Sequence, residues 1–214
     1  TNPTIVSKPD PRYLFTQALA NFDGHDYFAW YYDYNNMLRW SQTVASTGGN
    51  ENLMTTMSNS GKMGSQVYNV MNQVNELTYI VNTTLEGEEQ AKYTYLKALC
   101  QPLMIYLAMW DTDMYGSMAY TEAYQARYGE TLTPKYDTQA ELFDLWEKQL
   151  KETVETLAND VTIDGNKVTQ QSLGSQDIIY QGDYTKWLKF AYSLRLKLAV
   201  RLINEDKDRA LNIV

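Results

Sequence analysis

Residues 183–204 read DYTKWLKFAYSLRLKLAVRLIN, a stretch whose apolar residues recur every three or four positions. That interval matches the turn of an α-helix, so the apolar side chains gather along one stripe. The stripe consists of Trp187, Leu188, Ala191, Leu194, Leu198 and Leu202. Because Lys186, Lys189 and Lys197 fall outside the stripe, the stretch predicts an amphipathic helix with one buried face.

The same helical spacing recurs along most of the chain. The predicted helices cover residues 13–20, 26–44, 65–81, 88–110, 137–158 and 183–204. Pro102 lies inside the fourth of these and should kink it, because proline removes one backbone hydrogen bond. In VTIDGNKVT, residues 161–169, the Asp164-Gly165 pair predicts a short β-hairpin. Helices joined by loops favour a mainly α fold, either a bundle or a helical-repeat solenoid.

The composition excludes some partners. The chain has 214 residues and 44% hydrophobic content, enough for a sizeable core. Its 18 basic residues are scattered among 26 acids, with a net charge of -8, so we expect no nucleic-acid binding. No apolar run is long enough to predict a membrane-spanning helix.

Motifs for catalysis and cofactor binding are lacking in the sequence. His25 is the single histidine, which excludes a metal site built on several imidazoles and leaves little basis for a histidine-dependent triad. No nucleotide-binding glycine motif occurs, and we expect no cofactor. Cys100 is the single cysteine and lies in an apolar stretch, so we expect a buried, unreactive side chain.

One fragment partly matches a calcium-binding loop. Its first, third, sixth and twelfth positions carry Asp111, Asp113, Gly116 and Glu122. Tyr115 and Ala119 occupy two positions at which oxygen ligands belong, which leaves too few hard ligands. We therefore interpret the match as coincidental and predict no metal site.

Arg195 lies between Leu188 and Leu202, inside the apolar stripe of the last helix. A guanidinium taken from water is costly unless a carboxylate pairs with it. We therefore expect a buried ion pair, with Asp111, Asp113 and Asp177 as candidate partners. The alternative is that the long side chain extends to solvent.

Two stretches resemble the SusD/RagB family of outer-membrane lipoproteins. DTDMYGSMAYTEAYQ, followed by PKYDTQAELFDLWEKQL, is similar to one conserved run of that family. DIIYQGDYTKWLKFAYSLRLKLAVRL is similar to a second, more specific run. Ala119, Tyr192 and Lys197 depart from the family pattern, where proline, asparagine and arginine are usual. The resemblance spans roughly residues 60 to 205.

The resemblance implies a mainly α fold of tetratricopeptide-like helix pairs, an α-α superhelix. Residues 1–214 are then expected to form a single helical-repeat domain of a chain more than twice as long. It also implies a lipid anchor upstream of residue 1, display on a Bacteroidetes-type outer membrane, and a lid-like role over a TonB-dependent, SusC-like transporter. The expected cargo is an oligosaccharide or a peptide, without catalysis. Asp183 and Trp187 are expected to act structurally, as a helix cap and a core side chain.

The densest aromatic segment, HDYFAWYYDYNNMLRW at residues 25–40, is the candidate binding region. One side of the predicted helix carries an ordinary core stripe, and the other mixes rings with polar groups. That second side is either packed against a neighbouring helix or forms a platform on which sugar rings stack. The predicted ligand-binding residues are Tyr32, Asn36, Arg39, Trp40 and Asn50.

The resemblance therefore implies a cell-surface protein that binds a glycan or another nutrient and delivers it to a transporter. A helical-repeat scaffold for protein partners, without a small ligand, is the alternative. A carbohydrate-active enzyme is a third reading, but no pair of carboxylates supports it.

Overall fold

A computed structural model of the chain describes residues 10–22, 38–45, 66–129 and 131–213. The helices in these ranges are α1 (Pro11–Ala20), α2 (Leu38–Trp40), α3 (Val67–Thr84), α4 (Gly87–Ala91), α5 (Thr94–Tyr115), α6 (Gln139–Ala158), α7 (Tyr184–Leu202) and α8 (Lys207–Ile213). Two short strands, β1 (Thr162–Ile163) and β2 (Asn166–Lys167), pair in antiparallel orientation. Single 3-10 turns lie at Ala126–Tyr128 and Gly174–Gln176.

The long helices pack mainly against their neighbours along the chain. α1 lies on α3, α3 on α5, α5 on α6, α6 on α7, and α7 on α8. α7 also returns to contact α5. This succession of helix pairs confirms the predicted mainly α, tetratricopeptide-like fold.

The core runs along the inner faces of these helices. Trp187 of α7 is buried and meets Phe15 of α1 edge to face, with ring centroids 5.9 Å apart. Cys100 is fully buried, and its thiol donates to the carbonyl oxygen of Leu96. Burial raises the pKa of Cys100 to about 12, so the thiol stays protonated, as the sequence predicts.

Side-chain caps start several of the helices. Asp10 accepts the backbone N–H of Arg12 at 2.9 Å and begins α1. Thr138 and Glu141 form a reciprocal capping box at the start of α6. Asp183 accepts two backbone N–H groups of the first turn of α7, which confirms the expected cap.

The predicted hairpin is also present. Asp164 and Gly165 have φ values of 49° and 80°, so both central residues of the turn adopt the positive dihedrals that a tight hairpin requires. Since Asp and Gly tolerate this conformation better than most residues, the turn is specified locally.

Several helix boundaries differ from the sequence prediction. The helix predicted over residues 88–110 is divided between α4 and α5 by a turn at Lys92 and Tyr93, and α5 continues to Tyr115. The helix predicted to end at Val44 ends at Trp40, because Gln42 adopts a φ of 58°. Residues 23–37, including His25, lie outside the described ranges. Helix α5 is assigned on both sides of Pro102, and the kink there stays a prediction.

The prediction for Arg195 is wrong. Its guanidinium donates to the carbonyl oxygen of Ile213 at 2.6 Å, and none of the ion pairs among the described residues includes it. The candidate partner Asp113 pairs instead with Arg201, which lies six positions after Arg195 on α7. Arg195 lies at the edge of the stripe, where its side chain also contacts the ring of Tyr192. Helix rotation rather than apolar spacing decides which arginine meets Asp113.

Candidate functional site

The predicted aromatic site is only partly within the described residues. Trp40 ends α2 and is 48% exposed. Arg39, beside it, is partly buried. Tyr32, Asn36 and Asn50 lie outside the described ranges, so their contribution to a binding site stays a prediction.

A second aromatic region lies where the loop after α5 crosses α3. We call it the tyrosine surface; it consists of Tyr68, Tyr79, Tyr124 and Tyr128. The rings of Tyr79 and Tyr128 stack with their centroids 4.5 Å apart. The rings of Tyr68 and Tyr124 lie 5.8 Å apart and are tilted. Tyr79 and Tyr124 are 44% and 48% exposed, so each pair presents one ring to solvent.

Polar contacts fix this loop on α3. The Tyr68 hydroxyl donates to the Ala119 carbonyl oxygen at 2.6 Å, and the Asn75 amide nitrogen donates to the Ala123 carbonyl oxygen at 3.2 Å. Further along, Glu76 accepts the Tyr128 hydroxyl at 2.8 Å. The exposed rings are therefore held in place before any ligand arrives, which reduces the entropic cost of binding.

Backbone strain distinguishes Tyr124 from the other tyrosines. Its φ is 58°, a left-handed conformation that costs a bulky side chain about 1 kcal/mol or more. Strained residues persist only where the surrounding contacts fix them, and they are frequent at functional sites. The contacts of Tyr68 and Asn75 with this loop supply that constraint.

The electrostatics of the tyrosine surface favour recognition of neutral ligands. Burial raises the pKa of Tyr68 to about 12, so its hydroxyl is protonated at neutral pH. Arg127 pairs with Glu76 at 3.0 Å, and the two charges compensate each other. Stacking and hydrogen bonding are thus available here, and the Glu76 carboxylate is already held by Arg127 and by the Tyr128 hydroxyl.

The sequence prediction missed the tyrosine surface. Tyr68 and Tyr79 are eleven positions apart, close to three full helical turns, so both lie on one side of α3. That spacing could have indicated an aromatic face. The partners Tyr124 and Tyr128 lie in a loop without periodicity, and only the fold brings them together with α3.

The motif aspartates are structural. Asp111 is buried and accepts the backbone N–H groups of Gln66 and Val67, at 3.0 and 2.9 Å, which begin α3. Asp137 is buried and accepts the backbone N–H groups of Tyr120 and Thr121. These carboxylates accept backbone N–H groups that would otherwise lack a partner at a helix start and in a turn. Asp111 cannot serve in a calcium loop, because helix α5 continues through this residue.

The described residues contain no group of three or more His, Cys, Asp or Glu side chains that could hold a metal ion. Among the helices within these ranges, none combines the length and hydropathy needed to cross a bilayer.

The helix pairs define a tetratricopeptide-like helical protein that carries exposed aromatic rings. A family model described as "starch-binding associating with outer membrane" matches residues 3–214, and the chain belongs to this SusD-like family. The resemblance stated from the sequence motifs is thereby confirmed.

Three solved structures have a similar fold. A chitin-binding protein is 19% identical with a TM-score of 0.70, over 95% of this chain and 41% of its own. A SusD homolog from Parabacteroides distasonis is 18% identical with a TM-score of 0.61, over 95% of this chain and 37% of its own. A SusD/RagB family protein from Bacteroides thetaiotaomicron is 20% identical with a TM-score of 0.59, over 96% of this chain and 42% of its own. A search of curated proteins found no match.

These three solved structures show the fold. The chain spans 41%, 37% and 42% of their respective lengths, so it corresponds to less than half of each.

Proposed function

We propose that this protein binds a glycan at the outer surface of the outer membrane and passes it, without chemical change, to a TonB-dependent, SusC-like transporter. The protein is then a lipid-anchored, cell-surface member of a nutrient-uptake system. The observation that carries the proposal is the family match over residues 3–214, whose description combines starch binding with the outer membrane.

The exposed aromatic rings give the proposal a physical basis. Aromatic rings pack against the apolar faces of sugars, and neighbouring amide or guanidinium groups can meet their hydroxyls. Trp40 with Arg39 offers this combination on α2, together with the predicted Tyr32, Asn36 and Asn50. Tyr124 offers a second ring on the tyrosine surface.

Glycan binding can be measured by isothermal titration with maltoheptaose and with chitohexaose. The two probes represent the starch and chitin binding named for the family and for one similar structure. We expect one of them to bind and Trp40→Ala to weaken that binding by about 1 to 3 kcal/mol without loss of folding. The Tyr124→Ala variant tests the tyrosine surface in the same way.

Tyr13→Ala is the matched control, because Tyr13 is a 64% exposed ring on α1 and belongs to neither surface. Affinity for both probes that is unchanged in Trp40→Ala and in Tyr124→Ala would reject these rings as the glycan site. No binding of either probe by the parent chain would remove the support for starch or chitin as cargo. Release of reducing sugar during incubation with either probe would contradict a role without catalysis.

A further inference from the structure

The outer face of α3 carries a tyrosine at each end and two asparagines between them. Tyr68, Asn72, Asn75 and Tyr79 follow one another at intervals of four, three and four positions, so they lie on one side of the helix. Asn72 and Tyr79 are exposed, and Tyr68 and Asn75 are partly accessible to solvent. We call the tyrosine surface together with Asn72 and Asn75 the α3 tract. It is a surface that the core does not use.

Each end of the α3 tract is a pair of rings, one of them exposed. Tyr124 lies beside Tyr68 at one end, and Tyr128 stacks on Tyr79 at the other. The loop that carries Tyr124 and Tyr128 is bound to the middle of the helix by a hydrogen bond from the Asn75 amide. Both pairs are thus fixed on the same side of α3, and each offers one exposed ring against which a sugar can pack.

Asn72 lies between the two ring pairs, four positions after Tyr68 and seven positions before Tyr79. Its side chain is exposed and makes no hydrogen bond within the described part of the chain. The amide therefore keeps its donors and its acceptor for groups of a bound molecule, in competition only with water. Sugar hydroxyl groups both donate and accept, so an amide between stacking rings suits them.

The separation of the two ring pairs sets the length of a ligand that reaches both. Tyr68 and Tyr79 are eleven positions apart, which is about 16 Å along the axis of α3. At about 1.5 Å per residue for the helix and about 5 Å per unit for an extended glycan, this distance corresponds to a chain of about four sugar rings. A single sugar or a disaccharide is too short to contact both pairs.

The shape and the charge of the α3 tract favour an extended, uncharged chain. The contacts at Tyr68, Asn72 and Tyr79 follow the axis of one helix, so they form a line rather than an arc. A β-linked glycan is an extended ribbon and can follow such a line, whereas an α-linked starch chain coils away from it. Beside the tract, Arg127 and Glu76 pair at 3.0 Å and leave no net charge to attract an ionic ligand.

We propose that the α3 tract binds an uncharged, extended, β-linked oligosaccharide of about four sugar rings, which packs on Tyr124 and Tyr79 and is hydrogen-bonded by Asn72. This site rests on the proposed function, because it presumes that the protein binds glycans, and it adds the length and the linkage of the glycan. A glycan that contacts Trp40 but not the tract, and a protein that binds no glycan, are the competing outcomes.

Isothermal titration with glycans of two linkages and two lengths tests the site. Chitohexaose and cellohexaose are extended and β-linked, maltoheptaose is α-linked, and chitobiose and cellobiose are too short to reach both ring pairs. At least one β-linked hexasaccharide should bind about tenfold more tightly than maltoheptaose and than its own disaccharide, because it makes both stacking contacts at once.

Removal of either exposed ring should affect long and short glycans differently. Tyr79→Ala and Tyr124→Ala should each weaken the binding of that hexasaccharide about tenfold. Each should change the affinity of the disaccharide by no more than about twofold, because the other ring pair still binds it. Asn72→Ala should weaken hexasaccharide binding about fivefold, since the hydrogen bonds of the amide are lost.

Tyr192→Ala and Asn204→Ala are the matched controls. Tyr192 is 48% exposed, as Tyr124 is, but lies on α7, and Asn204 is exposed after the end of α7. Both variants should bind the hexasaccharide as the parent does. Circular dichroism of every variant verifies that its helices are retained.

Hexasaccharide affinity that is unchanged in Tyr79→Ala and in Tyr124→Ala would overturn the site, and if Trp40→Ala weakens binding at the same time, the proposed function stands. Maltoheptaose binding as tightly as the β-linked hexasaccharides would overturn the linkage. If the tyrosine variants do not fold, Asn72→Ala decides in their place, and unchanged affinity in it would overturn the site. No binding of any glycan by the parent would overturn the site and the proposed function together.

Discussion

Asp177 accepts a hydrogen bond at 2.7 Å from the indole nitrogen of Trp187, and both side chains are buried. The same carboxylate accepts the backbone N–H groups of Ile179, Tyr180 and Gly182. One side chain therefore ties the turn at residues 177–182 to the first turns of α7 and fixes the ring that contacts α1. The sequence motif that indicated the family is largely this network.

Replacing Asp177 by Asn should destabilise the protein by about 2 to 3 kcal/mol. The carboxylate of Asp177 accepts hydrogen bonds from buried N–H groups. The amide nitrogen of asparagine is itself a donor, so it would leave some of these N–H groups without an acceptor. Urea unfolding followed by circular dichroism measures the loss. In a double-mutant cycle with Trp187→Phe, the combined cost should be less than the sum of the single costs, because both variants break one contact. Strict additivity would show that the contact contributes little.

Arg195→Met should cost less than about 1 kcal/mol, since no carboxylate is left unpaired and the buried Nε of Arg195 has no partner to lose. Arg201→Met removes the pair with Asp113, which is partly exposed, and should cost about 1 kcal/mol. Urea unfolding of both variants at one pH gives the comparison. A loss near 3 kcal/mol for Arg195→Met would instead indicate a buried ion pair.

The contribution of Asp137 to stability should depend on pH. Burial alone would raise the pKa of Asp137, but hydrogen bonds from Thr121 and Tyr120 and the charge of Lys135 lower it below its usual value. Because the pKa of Asp137 is lower in the folded than in the unfolded protein, its ionised carboxylate stabilises the fold at pH values above the unfolded-state pKa. This stabilisation is lost as the pH falls through the folded-state pKa.

Asp137→Asn should therefore be most costly near neutral pH, and the difference from the parent should shrink below about pH 4. Free energies of unfolding of the two proteins across this range provide the measurement. Asp144→Asn is the control, because Asp144 is exposed on α6 and its ion pair with Arg209 is screened by solvent. A difference between the parent and the Asp137→Asn variant that is constant with pH would contradict the proposed role of the charge.

Gly182→Ala should destabilise the protein more than Gly129→Ala. Both glycines have positive φ, 82° and 89°, so alanine is strained by about 1 kcal/mol at either position. At Gly182 a Cβ would also lie 2.8 Å from the backbone nitrogen of Gly174, whereas at Gly129 no atom is within 4 Å. Thermal unfolding compares the two variants. Equal losses would mean that the backbone at Gly174 shifts without cost.

The tertiary arrangement could be predicted from the sequence only where the relevant signals are local. The structure confirms three predictions that rest on residues close in sequence. These are the helix cap at Asp183, the turn at Asp164-Gly165, and the burial of Trp187 and Cys100. Dihedral preference, capping and helical periodicity act within a few residues, so these features are determined before the helices meet.

The pairing of distant residues was decided only by the tertiary structure. Asp113 pairs with Arg201 rather than with Arg195, and a distant loop brings Tyr124 to Tyr68. Gln101 and Gln149 come from different helices and line the same groove. All of these contacts depend on how the helices rotate and pack. The sequence by itself determined which segments form helices and which family motifs they carry. Contacts between those segments depend on the summed packing of many side chains, and no local pattern specifies that sum.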